Sequence, residues 1–155
     1  MLRQDLTAFA ARCFGDLNPH TPLAMNWHLE VIAAKLTEVR RGKIKRLIIN
    51  LPPRHLKSVM ASVALPAWCL GLDPAAQILC VSYAQDLADK LARDCRAIMM
   101  SPWYRRLFAT RLAPHRQAVQ EFITARQGYR LATSTGGVLT GRGADIHHHR
   151  RSPEA

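Results

Sequence analysis

The chain has 155 residues, enough for one domain of ordinary size. A hydrophobic content of 48% supports a packed core and excludes global disorder. Lys and Arg number 22 against 11 Asp and Glu, a formal charge of +11, which favours an anionic partner such as nucleic acid or an acidic assembly, with a merely basic surface as the plainer alternative.

Residues 1–22 are mixed and end in the loop-like run Asn18-Pro19-His20-Thr21-Pro22. From Leu23 to Arg41, apolar residues at Leu23, Trp27, Val31, Ala34 and near Val39 predict an amphipathic helix that ends at Gly42. Ile44–Asn50, with the run Leu47-Ile48-Ile49, predicts a central strand buried on both faces. After a Pro-Pro turn, a helix is predicted from Ser58 to Leu70, ended by Gly71 and Pro74. Ile78–Tyr83 reads as a second strand, and Asp86 to Met100 as a helix with Leu87, Leu91, Cys95 and Ile98 on one stripe. Ala118–Thr124 and Tyr129–Thr133 predict a hairpin turning at Gln127-Gly128, followed by a Gly-rich stretch from Gly136 to Gly143. This alternation predicts an α/β fold with a parallel core.

Cys13, Cys69, Cys80 and Cys95 show no CxxC spacing, so buried free thiols are expected rather than zinc ligands or disulfides. Met1–Asp5 carries early charge with no apolar run behind it, and Val59–Leu72 is too short to span a bilayer. A soluble, cytoplasmic protein without a membrane partner is expected.

The chemistry concentrates at Asn50-Leu51-Pro52-Pro53-Arg54-His55-Leu56-Lys57-Ser58, between a predicted strand and a predicted helix. That is the context in which a phosphate loop works: a helix N-terminus faces the phosphates, an ammonium reaches the β- and γ-phosphates, and a hydroxyl binds Mg²⁺. Lys57 and Ser58 supply the last two. Both glycine positions of the usual pattern hold leucine, Leu51 and Leu56, so the loop takes another path or carries strain. The plainer reading is that Lys57 and Ser58 open a surface helix.

The run Leu47–Ser58 resembles the Walker A region of phage terminase large subunits, the ATPases that drive DNA into capsids. Pro66-Ala67-Trp68, Ile78–Tyr83 with Gln85-Asp86-Leu87-Ala88, and Thr133–Asp145 resemble three further stretches of the family in order, so the likeness spans roughly Leu23 to Ile146. It implies a P-loop NTPase-type parallel sheet flanked by helices, with ATP and Mg²⁺ as cofactors. It implies a nucleotide site at Pro53, Arg54, His55, Leu56, Lys57 and Ser58, with Ser58 on the metal and Arg54 as the catalytic arginine at the γ-phosphate. Trp27 and His28 fall where the family has its adenine-side segment; a core tryptophan on an amphipathic helix is the simpler expectation. The implied partners are double-stranded DNA, a small terminase subunit and a portal protein, in a bacterial host carrying a prophage.

The tail breaks the pattern. Where the family continues with apolar residues, two acids and Pro, this chain reads His147-His148-His149-Arg150-Arg151-Ser152-Pro153-Glu154-Ala155. Codons can be chosen for this tail that, read one base over, give Ile-Ile-Ile-Asp-Asp-Pro-Leu-Lys, the expected Walker B strand. The sequence thus divides into an N-terminal segment 1–22, a partial ATPase domain 23–146 and an aberrant basic tail 147–155. A frameshift at the Ile146/His147 boundary is expected, leaving a sheet incomplete at its C-terminal side, Leu47–Asn50 with an unpaired edge, little ATPase activity and no nuclease. Weak metal binding by the three His, or nucleic-acid contact by the tail, are the other readings. Arg105, Arg106, Arg111, Arg116, Arg126 and Arg130 are candidates for a DNA-facing surface. Two alternatives compete with the terminase reading: another helicase-like P-loop motor, and a non-enzymatic basic module that binds DNA or a partner.

Overall fold

The fold is that of a computed structural model, described over residues 1–24, 26–50, 56–134 and 144–149. It is mixed α/β, a five-stranded sheet flanked by helices. The chain opens with α1 (Leu6–Leu17), unrecognised in the sequence although its signals are present. The Asp5 carboxylate accepts from the Thr7 N–H at 2.9 Å, and Leu6, Phe9, Ala10 and Cys13 form a buried stripe at helical spacing.

Helix α2 (Trp27–Arg40) begins four residues later than the periodicity predicts, and its buried stripe is Leu29, Ile32, Ala33 and Leu36. Trp27 is 76% exposed and Val31 also faces outward, which corrects the expectation of a core tryptophan. The helix carries two apolar stripes at three- and four-residue steps, so its periodicity admits two phases; packing against α1 and the segment after Ser58 chooses between them. Gly42, at φ +77°, closes the helix by donating its N–H to the Val39 carbonyl, as its place predicts.

Residues 44–50 do not form a strand. Leu47 and Ile49 pack on the core while Ile48 points outward, 85% exposed. Among the described residues this segment pairs with no strand of the five-stranded sheet.

Residues 57–72 are helical throughout, comprising a π-helical segment (Val59–Ala64) and α3 (Leu65–Leu72). Pro66 lies inside the run and brings no N–H to the helix ladder, so a widened turn just before it fits the local chemistry. The helix passes through Gly71 and ends at Leu72, beyond the predicted stop. Gly71 is required by packing: a Cβ there would lie 2.6 Å from the Phe108 ring.

The sheet contains β1 (Gln77–Ser82), β2 (Leu112–Gln117), β3 (Glu121–Thr124), β4 (Tyr129–Ser134) and β5 (Ile146–His149), in the order β2-β3-β4-β1-β5. Strand β1 is parallel to β4 and β5, whereas β2, β3 and β4 are antiparallel neighbours. The expected parallel core is thus three strands of a mixed sheet. Helix α4 (Gln85–Met100) packs on β1 and β4 with Leu91, Cys95 and Ile98 buried, as predicted. The short α5 (Pro102–Leu107) starts with Pro at its first turn, and the Tyr104 hydroxyl donates to the Ala67 carbonyl at 2.7 Å.

Strand β2 carries Pro114, which hid it in the sequence; at a sheet edge proline is tolerated. The boundary drawn between Ile146 and His147 falls inside β5. Backbone pairing does not need the apolar side chains expected here, and Asp145 clamps the strand's start: its N–H donates to the Gln77 carbonyl at 2.8 Å and its carboxylate accepts from the Gln77 N–H at 3.0 Å.

Candidate functional site

Pro53, Arg54 and His55 lie outside the described residues, as do Leu51 and Pro52. What is described is the exit of the loop. Leu56 stands at φ +61°, in the left-handed region that leucine adopts at a cost, and the helix begins at the next residue with Lys57 and Ser58, both half-buried. Of the two outcomes expected of a leucine here, another path or backbone strain, the positive φ at Leu56 is in keeping with the second. The Leu56 side chain stays in place by packing with Phe14, Leu29 and Met60 around a small apolar cleft.

This arrangement has a direct consequence for stability. Leu56→Gly and Leu56→Ala remove nearly the same apolar contact, but only glycine accepts the positive φ freely. The Gly variant is expected to be more stable than the Ala variant by about 1 kcal/mol, the reverse of their order inside a helix. Urea midpoints of the two variants measure this; an equal or more stable Ala variant would show that no strain resides at Leu56.

A second polar constellation went unseen in the sequence. Arg130 of β4, read as a surface candidate, is 1% exposed. One terminal nitrogen donates to the Ser62 carbonyl at 2.8 Å. Its Nε and Nη1 are buried with no hydrogen-bond partner. The Ser62 hydroxyl lies 3.3 Å from Nδ1 of His148 on β5. One buried side chain thus ties β4 to the π-helical turn, and Ser62 extends the tie to β5. No local signal in the sequence marks it.

Arg111, another of the surface candidates, is tied to the backbone. Its guanidinium donates to the carbonyls of Phe108, Thr110 and Arg105 at 2.8, 2.8 and 2.9 Å, and so clips the turn after α5. Asp145 is committed to Gln77, and Glu154 lies outside the described residues. Asp89 accepts from the Gln85 amide at 2.8 Å, while Asp86 is exposed. Among the described residues no group of three or more His, Cys, Asp or Glu is placed to hold a metal ion, and no helix is long and apolar enough to cross a membrane.

The four cysteines are free and buried. Burial pushes the Cys69 and Cys95 thiols from an ordinary 9.0 up to about 12, and pushes Cys13 and Cys80 up as well. Nearby Arg130 only partly offsets this at Cys80 and Cys95. Such thiols are poor nucleophiles. Because the unfolded chain releases these protons first, their contribution is intact below pH 9.0 and is lost as pH rises through 12. Over that window Cys69 and Cys95 should each lower stability by up to about 1.4 kcal/mol per pH unit. The urea midpoint at alkaline pH should fall accordingly, and less so in a Cys69→Ala, Cys95→Ala variant.

Set against models of known protein families the chain matches none, and a comparison with curated proteins likewise finds no match.

Proposed function

We propose that the chain is the N-terminal, ATP-binding part of a DNA-packaging motor of the terminase large-subunit type, built on a P-loop NTPase core. The observation that carries this reading is the backbone at Leu56. A residue at φ +61°, where a phosphate loop usually has glycine, leads directly into a helix headed by Lys57 and Ser58. A strained conformation for leucine is maintained at the point where the chain must turn to aim a helix N-terminus at phosphates. A strand beginning at Ile146, directly after Asp145 and parallel to β1, also fits the position expected of the Walker B strand.

In this reading the Lys57 ammonium reaches the β- and γ-phosphates, the Ser58 hydroxyl holds Mg²⁺, and Arg54 serves the γ-phosphate. The exposed Trp27 ring, edge-on to His28 at 6.3 Å, is accessible for stacking on a base. Turnover is expected to be negligible, because the Asp145 carboxylate is bound to a backbone amide and the positions after the strand's start hold His and Arg where the motor needs acids. Double-stranded DNA, a small subunit and a portal protein are the partners this function requires.

The decisive measurement is Mg²⁺-ATP binding by calorimetry to the parent and to Lys57→Ala. Loss of the ammonium is expected to weaken binding at least 10-fold, about 1.4 kcal/mol. Equal affinities, including none in either protein, would remove the reading. The gene's DNA tests the frameshift separately: codons that do not yield Ile-Ile-Ile-Asp-Asp in a shifted frame would exclude it.

A further inference from the structure

The positive charge of this chain is not spread evenly. From residue 39 to residue 72 there is no Asp or Glu, and five cations fall within residues 40–46: Arg40, Arg41, Lys43, Lys45 and Arg46. Arg40 is engaged, its guanidinium lying 5.3 Å from the centre of the Trp68 ring. The other four are exposed, and none of them is in an ion pair among the described residues. The nearest acid in sequence, Glu38, faces Lys35 at 3.7 Å.

This stretch has a set backbone. The Glu38 carbonyl receives the N–H groups of Lys43 and Ile44 at 3.0 and 3.4 Å, Gly42 closes α2, and Leu47 and Ile49 anchor the following residues on the core. The cations therefore ride on an ordered turn, which keeps like charges close at an electrostatic cost that an anionic partner relieves. Elsewhere the arginines are scattered or committed: Arg130 is buried, Arg111 is bound to carbonyls, and Arg12 pairs with Asp16.

We infer that Arg41, Lys43, Lys45 and Arg46 form a surface that grips the phosphate backbone of a duplex nucleic acid. This surface is separate from the Lys57–Ser58 loop and does not depend on nucleotide binding there. Regularly spaced phosphates suit a short run of point charges, and such contacts carry no base preference. A lipid surface suits the patch less well, since Trp27 and Val31 sit toward the opposite end of α2 and only Ile48 is apolar and outward-facing beside the cations.

The test is fluorescence anisotropy of labelled duplex DNA against the full chain over a salt series. Two variants remove equal charge from exposed positions: Arg41→Ala, Lys43→Ala, Lys45→Ala with Arg46→Ala, and Arg93→Ala, Arg105→Ala, Arg106→Ala with Arg126→Ala. The first should flatten the log–log salt slope by about 1 per residue removed and weaken binding roughly 100-fold at low salt, whereas the second should change both far less. ATP affinity of the first variant should equal that of the parent, which separates this result from any failure of the phosphate-loop reading. The inference is overturned if the two variants weaken binding equally, if the parent does not bind duplex, if phosphatidylserine vesicles bind the parent more tightly than duplex and release it on the same substitutions, or if the first variant also loses ATP.

Discussion

Gly128→Ala is expected to abolish folding or to lower stability by more than about 4 kcal/mol, at the extreme of what one methyl group does. A Cβ at this position would lie 2.1 Å from the Pro74 carbonyl oxygen and 2.8 Å from that of Ala76. Neither atom can retreat cheaply. The Pro74 carbonyl accepts the Gly128 N–H at 3.1 Å and the Thr124 hydroxyl at 2.5 Å, and the Ala76 carbonyl accepts the Tyr129 N–H at 3.0 Å. The clash falls where the β3–β4 hairpin docks on the approach to β1, so relieving it means separating β4 from β1 at the start of their parallel register, Gln77↔Tyr129. Soluble expression and far-ultraviolet circular dichroism report the outcome. A well-folded Gly128→Ala protein with an unchanged urea midpoint would mean that the hairpin does not dock as described.

The second large effect concerns Arg130, and its sign depends on the replacement. Arg130→Ala removes a fully buried side chain from among β1, β4, α4 and the π-helical turn, and is expected to cost about 3 kcal/mol for the cavity and the orphaned Ser62 carbonyl. Arg130→Met fills much of the same volume without a charge. The guanidinium makes one hydrogen bond to Ser62, leaves Nε and Nη1 unpartnered and has no carboxylate beside it among the described residues. Removing such a charge is expected to offset the lost bond, so Met should match or exceed the parent in urea. A Met variant as damaged as the Ala variant would show that the guanidinium is a net stabiliser, held by interactions beyond its bond to Ser62.

These effects bear on what was legible beforehand. Helix α4 was readable because Leu87, Leu91, Cys95 and Ile98 lie on one stripe, and the Gln127-Gly128 turn because Gly128 leaves room for Pro74. The strand at Ile78 and the hairpin partner at Tyr129 followed from short apolar runs between turn residues. At the candidate site, a leucine where the resemblance expects glycine called for another path or for backbone strain, and Leu56 stands at φ +61°. The residues Pro53, Arg54 and His55 rest on the resemblance and lie outside the described region.

Local chemistry determined which segments are apolar, where α2 and α4 stop and where the chain must turn, because periodicity, proline and glycine act within a few residues. Three features were decided only by tertiary structure. Whether Trp27 or Leu29 lies inside depended on which of two apolar stripes of α2 met α1. Whether Ile44–Asn50 became a strand depended on a pairing partner across the fold, and it has none in the sheet while Leu47 and Ile49 pack on the core. Whether Arg130 faced solvent depended on the Ser62 carbonyl, which lies 68 residues away in sequence and accepts its guanidinium N–H. Each of these outcomes turns on the partner a residue finds across the fold, and a partner's position is not a local property of the chain.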